Sequence, residues 1–261
     1  RMQDANHTAI PRMIPCLLLK GQGLYKTQKF SKPVYLGDPL NIVRIFNDKE
    51  VDEICILDIT ATKEKRGPNF DFLAEIASEC FMPLSYGGGI SSLEDCKRLF
   101  GLGLEKIILN TALFTRPELI REAADQFGAQ SVVASIDVKK SFLGGYHVWS
   151  HCGTVNTKKD PVSMAQEVAR MGVGEILLNS IDRDGTMEGY DAKLVAMISE
   201  AVPVPVIACG GASSLENMAD LVKTTQVSAV AAGALFVFYG PLRGVLINPP
   251  SYHQFKAALG R

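Results

Sequence analysis

Residues 83–114 read PLSYGGGISSLEDCKRLFGLGLEKIILNTALF, and residues 205–236 read PVIACGGASSLENMADLVKTTQVSAVAAGALF. Laid on each other without a gap, they share 11 of 32 positions at a constant offset of 122. The offset continues upstream, pairing Val51 with Val173, Glu53 with Glu175, Ile54 with Ile176, Ile59 with Ile181, Gly67 with Gly189 and Ile76 with Ile198. Such self-similarity means one supersecondary arrangement used twice. Short apolar runs at 13–19, 53–59, 82–86, 106–110, 131–138, 175–181, 204–209 and 228–232 read as eight strands. Helical patterns lie between them at 39–48, 70–80, 93–102, 117–127, 161–171, 192–201 and 215–222. This alternation predicts an α/β fold of parallel units, a (β/α)8 barrel of the TIM type. One domain over residues 1–261 is expected, with half-barrels at about 12–128 and 129–247. A doubly wound open sheet would show the same alternation but does not predict a half-chain repeat.

A chain of 261 residues with 47% hydrophobic content can bury a substantial core. Its 27 Lys and Arg nearly cancel its 28 Asp and Glu, which gives no electrostatic case for nucleic acid or an anionic membrane as partner. Any anion it binds must be held locally. No run approaches eighteen apolar residues and the segment 1–11 is polar, so a cytoplasmic protein without membrane span or signal peptide is expected. Cys16, Cys55, Cys80, Cys96, Cys152 and Cys209 form no CxxC pair and have no His at metal spacing. Small buried thiols are expected rather than disulfides or a metal site, and no cofactor is called for.

In each half a strand runs into glycines followed by Ser-Ser-Leu-Glu: Gly87-Gly88-Gly89, then Gly210-Gly211. Glycine lets backbone N–H groups approach a ligand, and a helix N-terminus adds donors and partial positive charge, which suits a phosphate. A tight strand-to-helix turn is the plainer explanation. One strand later each half has another small-residue turn, Asn110-Thr111 and Ala232-Gly233. Across a barrel mouth these would face one another, so a ligand with two phosphates is expected. Asp58, Asp137 and Asp184 fall at or just past strand C-terminal ends, where a carboxylate can serve as general acid or base or can cap a loop. Arg12, Glu53, Lys106 and Glu175 head strands at the other end. They could form a salt-bridged ring closing the barrel floor, but spacing alone favours ordinary surface charges.

The segments RMIPCL, LDIT, GGGISS, KIILNTA, IDVK, GEILLNSIDRDGT, GYD and PVIACGGASSLE resemble the cyclase subunit of imidazole glycerol phosphate synthase, from histidine biosynthesis. The resemblance spans roughly residues 12–238. It implies a (β/α)8 barrel that partners a glutaminase at its N-terminal face and receives ammonia through the barrel axis. It also implies a small ligand with a phosphate at each end and no cofactor. The first phosphate site maps to Gly89, Asn110 and Thr111, and the second to Asp184, Gly185, Gly211, Ala232 and Gly233. Asp58 and Asn179 map to polar ligand contacts. Arg12, Glu53, Lys106 and Glu175 map to a charged ammonia gate, against the surface reading of those charges.

The family uses two aspartates as general acid and base. Asp137 matches the second, but the first falls on Leu18. The repeat gives the same gap: setting IPCLLLK (14–20) on VASIDVK (133–139) pairs Lys20 with Lys139 and Leu18 with Asp137. Loss of one general acid or base slows a reaction by on the order of 10² to 10⁴. The loop KGQGLYKTQKF also departs from the family pattern, with a family lysine retained as Lys26. Gly233 stands where a serine is usual and Asn179 where a threonine is usual, and the tail FYGPLRGVLINPPS carries two prolines where a final helix would continue. Three readings follow: a working cyclase subunit, a paralogue passing ammonia to another enzyme of the kind found with surface-polysaccharide genes, and a phosphate-ligand-binding barrel without ammonia traffic.

Overall fold

A computed structural model describes residues 10–261. The first half runs β1 (Arg12–Lys20), β2 (Gly23–Gln28), β3 (Ser31–Gly37), α1 (Pro39–Asp48), β4 (Ile54–Asp58), α2 (Phe70–Glu79), β5 (Leu84–Gly87), α3 (Leu93–Gly101), β6 (Lys106–Leu109), the single-turn α4 (Ala112–Thr115) and α5 (Glu118–Phe127). The second runs β7 (Val132–Lys140), β8 (Tyr146–Ser150), β9 (Val155–Lys159), α6 (Pro161–Met171), β10 (Glu175–Ser180), α7 (Ala192–Ala201), β11 (Val206–Cys209), α8 (Leu215–Thr224), β12 (Ala229–Ala232) and the single-turn α9 (Ala234–Val237). A two-stranded hairpin, β13 (Phe238–Tyr239) and β14 (Gly244–Val245), and α10 (Tyr252–Ala258) complete it.

Eight parallel strands pair in the order β1, β4, β5, β6, β7, β10, β11, β12, and β12 returns to pair with β1, so the sheet closes. The expected (β/α)8 barrel is what forms, and an open doubly wound sheet is excluded. Alternation along each strand sorts its side chains between two cores. On β1, Ile14 and Cys16 join an inner cluster with Cys55, Ile108, Val133, Leu177 and Ile207, while Met13, Leu17 and Leu19 pack outward against the helices.

Helix starts are written locally and twice. Asp38 caps α1 by accepting the N–H groups of Leu40 and Asn41, with Pro39 at the first position, and Asp160-Pro161 repeats this at α6. The buried face of α1 centres on Phe46; truncating it to alanine would cost about 3–5 kcal/mol.

Register fixes the correspondence of the halves. Leu18 pairs with Leu57 on β4, and Asp137 pairs with Asn179 on β10. Since Leu57 and Asn179 differ by 122 positions, Leu18 and Asp137 hold equivalent places, although they differ by 119. The intervening segment of the second half is therefore three residues longer. Each half sends its first strand into an antiparallel hairpin, β2–β3 or β8–β9, which the apolar patterning did not reveal. In the tail, the chain resumes a helix after Pro249-Pro250: Ser251 and Gln254 form a capping box for α10, which seats the fully buried Phe255.

Candidate active site at the barrel mouth

A cavity of about 560 Å³ opens at the C-terminal ends of the barrel strands. Leu18, Lys26, Asp58, Gly89, Asn110, Thr111, Asp137, Asn179, Asp184, Gly185, Gly211, Ala232 and Gly233 all line it. Two of its glycines have a plain steric reason. A Cβ on Gly89 (φ 69°) would lie 2.5 Å from the Arg66 carbonyl oxygen, and one on Gly211 (φ 102°) would lie 2.2 Å from that of Gly189. Each turn is thus pressed against the loop of the preceding unit, and Gly67 and Gly189, themselves related by the repeat, form those contacts. Close packing alone accounts for these glycines. The single-turn helices α4 and α9 that follow the Asn110-Thr111 and Ala232-Gly233 turns start without a side-chain cap.

The cavity floor is split. On one side Asp137, 3% exposed, accepts a hydrogen bond of 2.8 Å from Asn110 Nδ2. Burial pushes its carboxyl up to about 6; the Asn110 bond opposes this and the charge of Asp184 adds to it. Asn179 stands beside it in register. Among the described residues, the buried side-chain oxygens without a partner are Asn110 Oδ1 and Asn179 Oδ1, both on this side. The equivalent side is apolar, with Leu18, 9% exposed, beside Leu57.

Asp184 organises the roof. Its carboxylate accepts from Lys26 Nζ at 2.6 Å, Thr27 Oγ1 at 2.7 Å and the Phe30 N–H at 3.0 Å, while its backbone oxygen takes the Lys29 N–H. The β2–β3 hairpin is thereby latched across the mouth, with Lys26 buried against Gly233. Arg243, from the turn between β13 and β14, donates to the carbonyl oxygens of Gly185 and Thr186 on the same rim. Asp58 lines the cavity wall with its carboxylate accepting from Arg66 at 2.9 and 3.2 Å and from the N–H groups of Thr60 and Ala61, so it also caps its loop.

At the other end Arg12, Glu53, Lys106 and Glu175 meet. Arg12 bridges Glu53 at 2.5 Å and Glu175; Lys106 bridges Glu175 at 3.1 Å and Glu53 at 3.4 Å. Both glutamates are buried, so the surface-charge reading from spacing is overturned: buried carboxylates persist here because each has two cationic partners. Burial alone would lower the Arg12 guanidinium, but the two glutamates outweigh it and hold it above its ordinary value. Just inside the ring a void of about 10 Å³ is lined by Ile14, Glu53, Cys55, Ser85, Ile108, Val133, Leu177, Ile207 and Ala231. Ile108 borders both this void and the mouth cavity. Cys16 and Cys55 lie between, with sulfurs 4.0 Å apart and unbridged. The expectation of buried thiols fits Cys16, Cys55, Cys96 and Cys209, whereas Cys80 and Cys152 are half-buried. Among the described residues no helix is long and apolar enough to cross a membrane.

The model of the family described as "Histidine biosynthesis protein" matches residues 12–242, the whole barrel. The chain belongs to that family. It is 55% identical over 243 residues to a Pseudomonas aeruginosa protein provisionally named imidazole glycerol phosphate synthase subunit hisF2, covering 93% of this chain and 97% of that one. A Leptospira interrogans protein with the corresponding HisF name is 46% identical, covering 95% and 98%. A Vibrio vulnificus protein provisionally named subunit hisF3 is 44% identical, covering 95% and 96%. The hairpins, the Arg66–Asp58 clamp and the Arg243 tie were not found from sequence. Only Arg66, eight residues after a strand-end aspartate, left a signal there.

Proposed function

We propose that this chain is the ammonia-receiving barrel of a glutamine amidotransferase, with a glutaminase docked on the N-terminal face. The observation that carries the reading is the axial order of parts: a ring of two buried carboxylates and two half-buried cations, a void of about 10 Å³ and a cavity of about 560 Å³. A void of that size is of the order that holds one water-sized molecule, and ammonia is that size. A phosphorylated ligand would lie between the turn at Gly89, Asn110 and Thr111 and the turn at Gly211, Ala232 and Gly233, facing the starts of α4 and α9. Asp184 and Gly185 would serve the second turn through the latch rather than by touching the phosphate, since the carboxylate is already occupied.

Imidazole glycerol phosphate synthesis, the activity in the relatives' names, needs a proton donor and a proton acceptor beside the reacting atoms. Asp137 supplies one carboxyl, held near the ionisation range in which it can give or take a proton. Leu18 supplies none. Cyclisation by this chain is therefore slowed by on the order of 10² to 10⁴, and its ammonia serves a different acceptor, such as a sugar in surface-polysaccharide assembly. The placement of Lys26 favours a second reading: it lines the cavity with its stem against Gly233, and its ammonium, on release from Asp184, replaces the missing acid.

Incubating the purified chain with ammonium and the family's ribonucleotide substrate decides between them. Turnover within about tenfold of ordinary enzyme rates, which lie near 1–10³ per second, would refute the delivery reading. Slow turnover combined with stimulation of an added glutaminase supports it. Neither turnover nor stimulation would point to a phosphate-binding barrel.

A further inference from the structure

Three loops of the mouth face carry large apolar side chains into solvent. Phe142 and Leu143, in the turn between β7 and β8, are 102% and 92% exposed, and Leu242, in the tail hairpin, is 95% exposed. Tyr35 on β3 and Tyr239 on β13 are more than half exposed. Adjacent large apolar side chains held fully in water at a turn tip, near further exposed apolar tips, mark a candidate contact surface. The turn itself is an addition: five residues join β7 to β8 where two join β1 to β2, which contributes to the extra length that shifts the repeat from 119 to 122. The extra residues include Phe142 and Leu143. The three loops share one rim because the loop after β10 joins them: the Lys140 N–H, at the base of the Phe142 turn, donates to Asp182 at 2.7 Å, Arg243 ties the tail hairpin to Gly185 and Thr186, and Gly185 abuts Thr27 on β2.

The rim is also cationic. Lys29 and Lys32 in the first hairpin, and Lys140, Lys158 and Lys159 in the second, are exposed on the same hairpins in a chain whose net charge is −1. Such a face repels a second copy of itself and attracts an acidic surface. Tyrosines and apolar anchors within a charged rim are the composition of a protein interface, and a protein can continue the cavity that a bilayer would only close.

We propose that the mouth face, centred on Phe142, Leu143 and Leu242, is the docking surface for a second protein with apolar clefts among carboxylates, the enzyme that takes the ammonia. The partner's identity as an ammonia consumer rests on the delivery reading; the surface itself does not.

The test places the photo-crosslinker p-benzoylphenylalanine at Phe142, at Leu242 and at Phe81, which is 84% exposed on the opposite face, in the source cells. One protein is expected at both mouth positions and not at Phe81. Purified, it should bind the wild-type chain, with affinity falling as salt rises, and the F142D/L143D variant at least about thirtyfold more weakly. Capture of only a second copy of this chain, capture of lipid together with binding to phosphatidylglycerol vesicles, no capture, or an affinity unchanged in F142D/L143D would each overturn the proposal. Glutaminase stimulation, measured in the same variant, should stay at the wild-type level. Its absence in both proteins would refute the delivery reading without touching the docking surface.

Discussion

Replacing Gly233 with alanine tests how the cavity is closed. Gly233 has φ −113° and ψ −76°, outside the left-handed region, so an alanine meets no backbone strain there. Its Cβ, however, would sit 2.9 Å from Lys26 Cε, 3.0 Å from Lys26 Cδ and 3.2 Å from the Cys16 carbonyl oxygen. The carbonyl belongs to β1 and is fixed by the barrel, so the lysine stem must move. Moving it breaks the 2.6 Å bond between Lys26 and Asp184, in which both side chains are under 10% exposed. A hydrogen bond to a charged group contributes about 1.5–3 kcal/mol, and Asp184 keeps its bonds from Thr27 and Phe30, so Gly233→Ala should destabilise by about 2 kcal/mol. Urea denaturation should show a lower midpoint at unchanged slope. If the latch opens locally, exchange of the Phe30 amide should quicken by about thirtyfold, the equivalent of that energy. Combined with Lys26→Met the losses should fall short of additive by at least about 1 kcal/mol. A loss below about 0.5 kcal/mol, additive with Lys26→Met and with Phe30 exchange unchanged, would refute the argument.

Asp137 binds its proton more tightly folded, near pKa 6 against 3.8, so the native state holds more protons in that window and loses stability as pH rises through it. Asp137→Asn should then be about 3 kcal/mol more stable than wild type at pH 7, with no gain below pH 4; a pH series of urea midpoints lacking this divergence would contradict the raised value. Leu18→Asp should restore part of the cyclase rate, measured as product formed from ammonium, because the loop at 21–29 and the Gly233 turn also differ; no gain at all would mean the carboxylate is not the limiting absence. Lys106→Met leaves Glu53 and Glu175 to share Arg12, and should cut glutamine-driven transfer at least tenfold while ammonium-driven transfer is kept; equal effects on both would remove the gate.

The barrel was legible because its signals are local and repeated. Buried strands read as continuous apolar runs, and Asp-Pro marks two helix starts. The hairpins were not, because β3 is mostly exposed and β9 carries Asn156, Thr157, Lys158 and Lys159, so neither shows an apolar run. The three strand-end aspartates could not be told apart by spacing. What separates them is the partners the fold brings to each: Arg66 for Asp58, Lys26 from 158 positions away for Asp184, and the neutral Asn110 for Asp137. The charged ring was misjudged from spacing for the same reason, since what holds Glu53 and Glu175 is each other's cations across the axis.

The divided floor bears on orientation. A ligand with a phosphate at each end could enter a twofold-symmetric barrel either way round, at equal energy. Here one way sets its polar middle against Asp137 and Asn179 and the other sets it against Leu18 and Leu57. Leaving a buried polar group unmatched costs about 1–3 kcal/mol, so the reversed pose would be populated roughly five- to 150-fold less. With Leu18 in the place equivalent to Asp137, the floor gives such a ligand a direction.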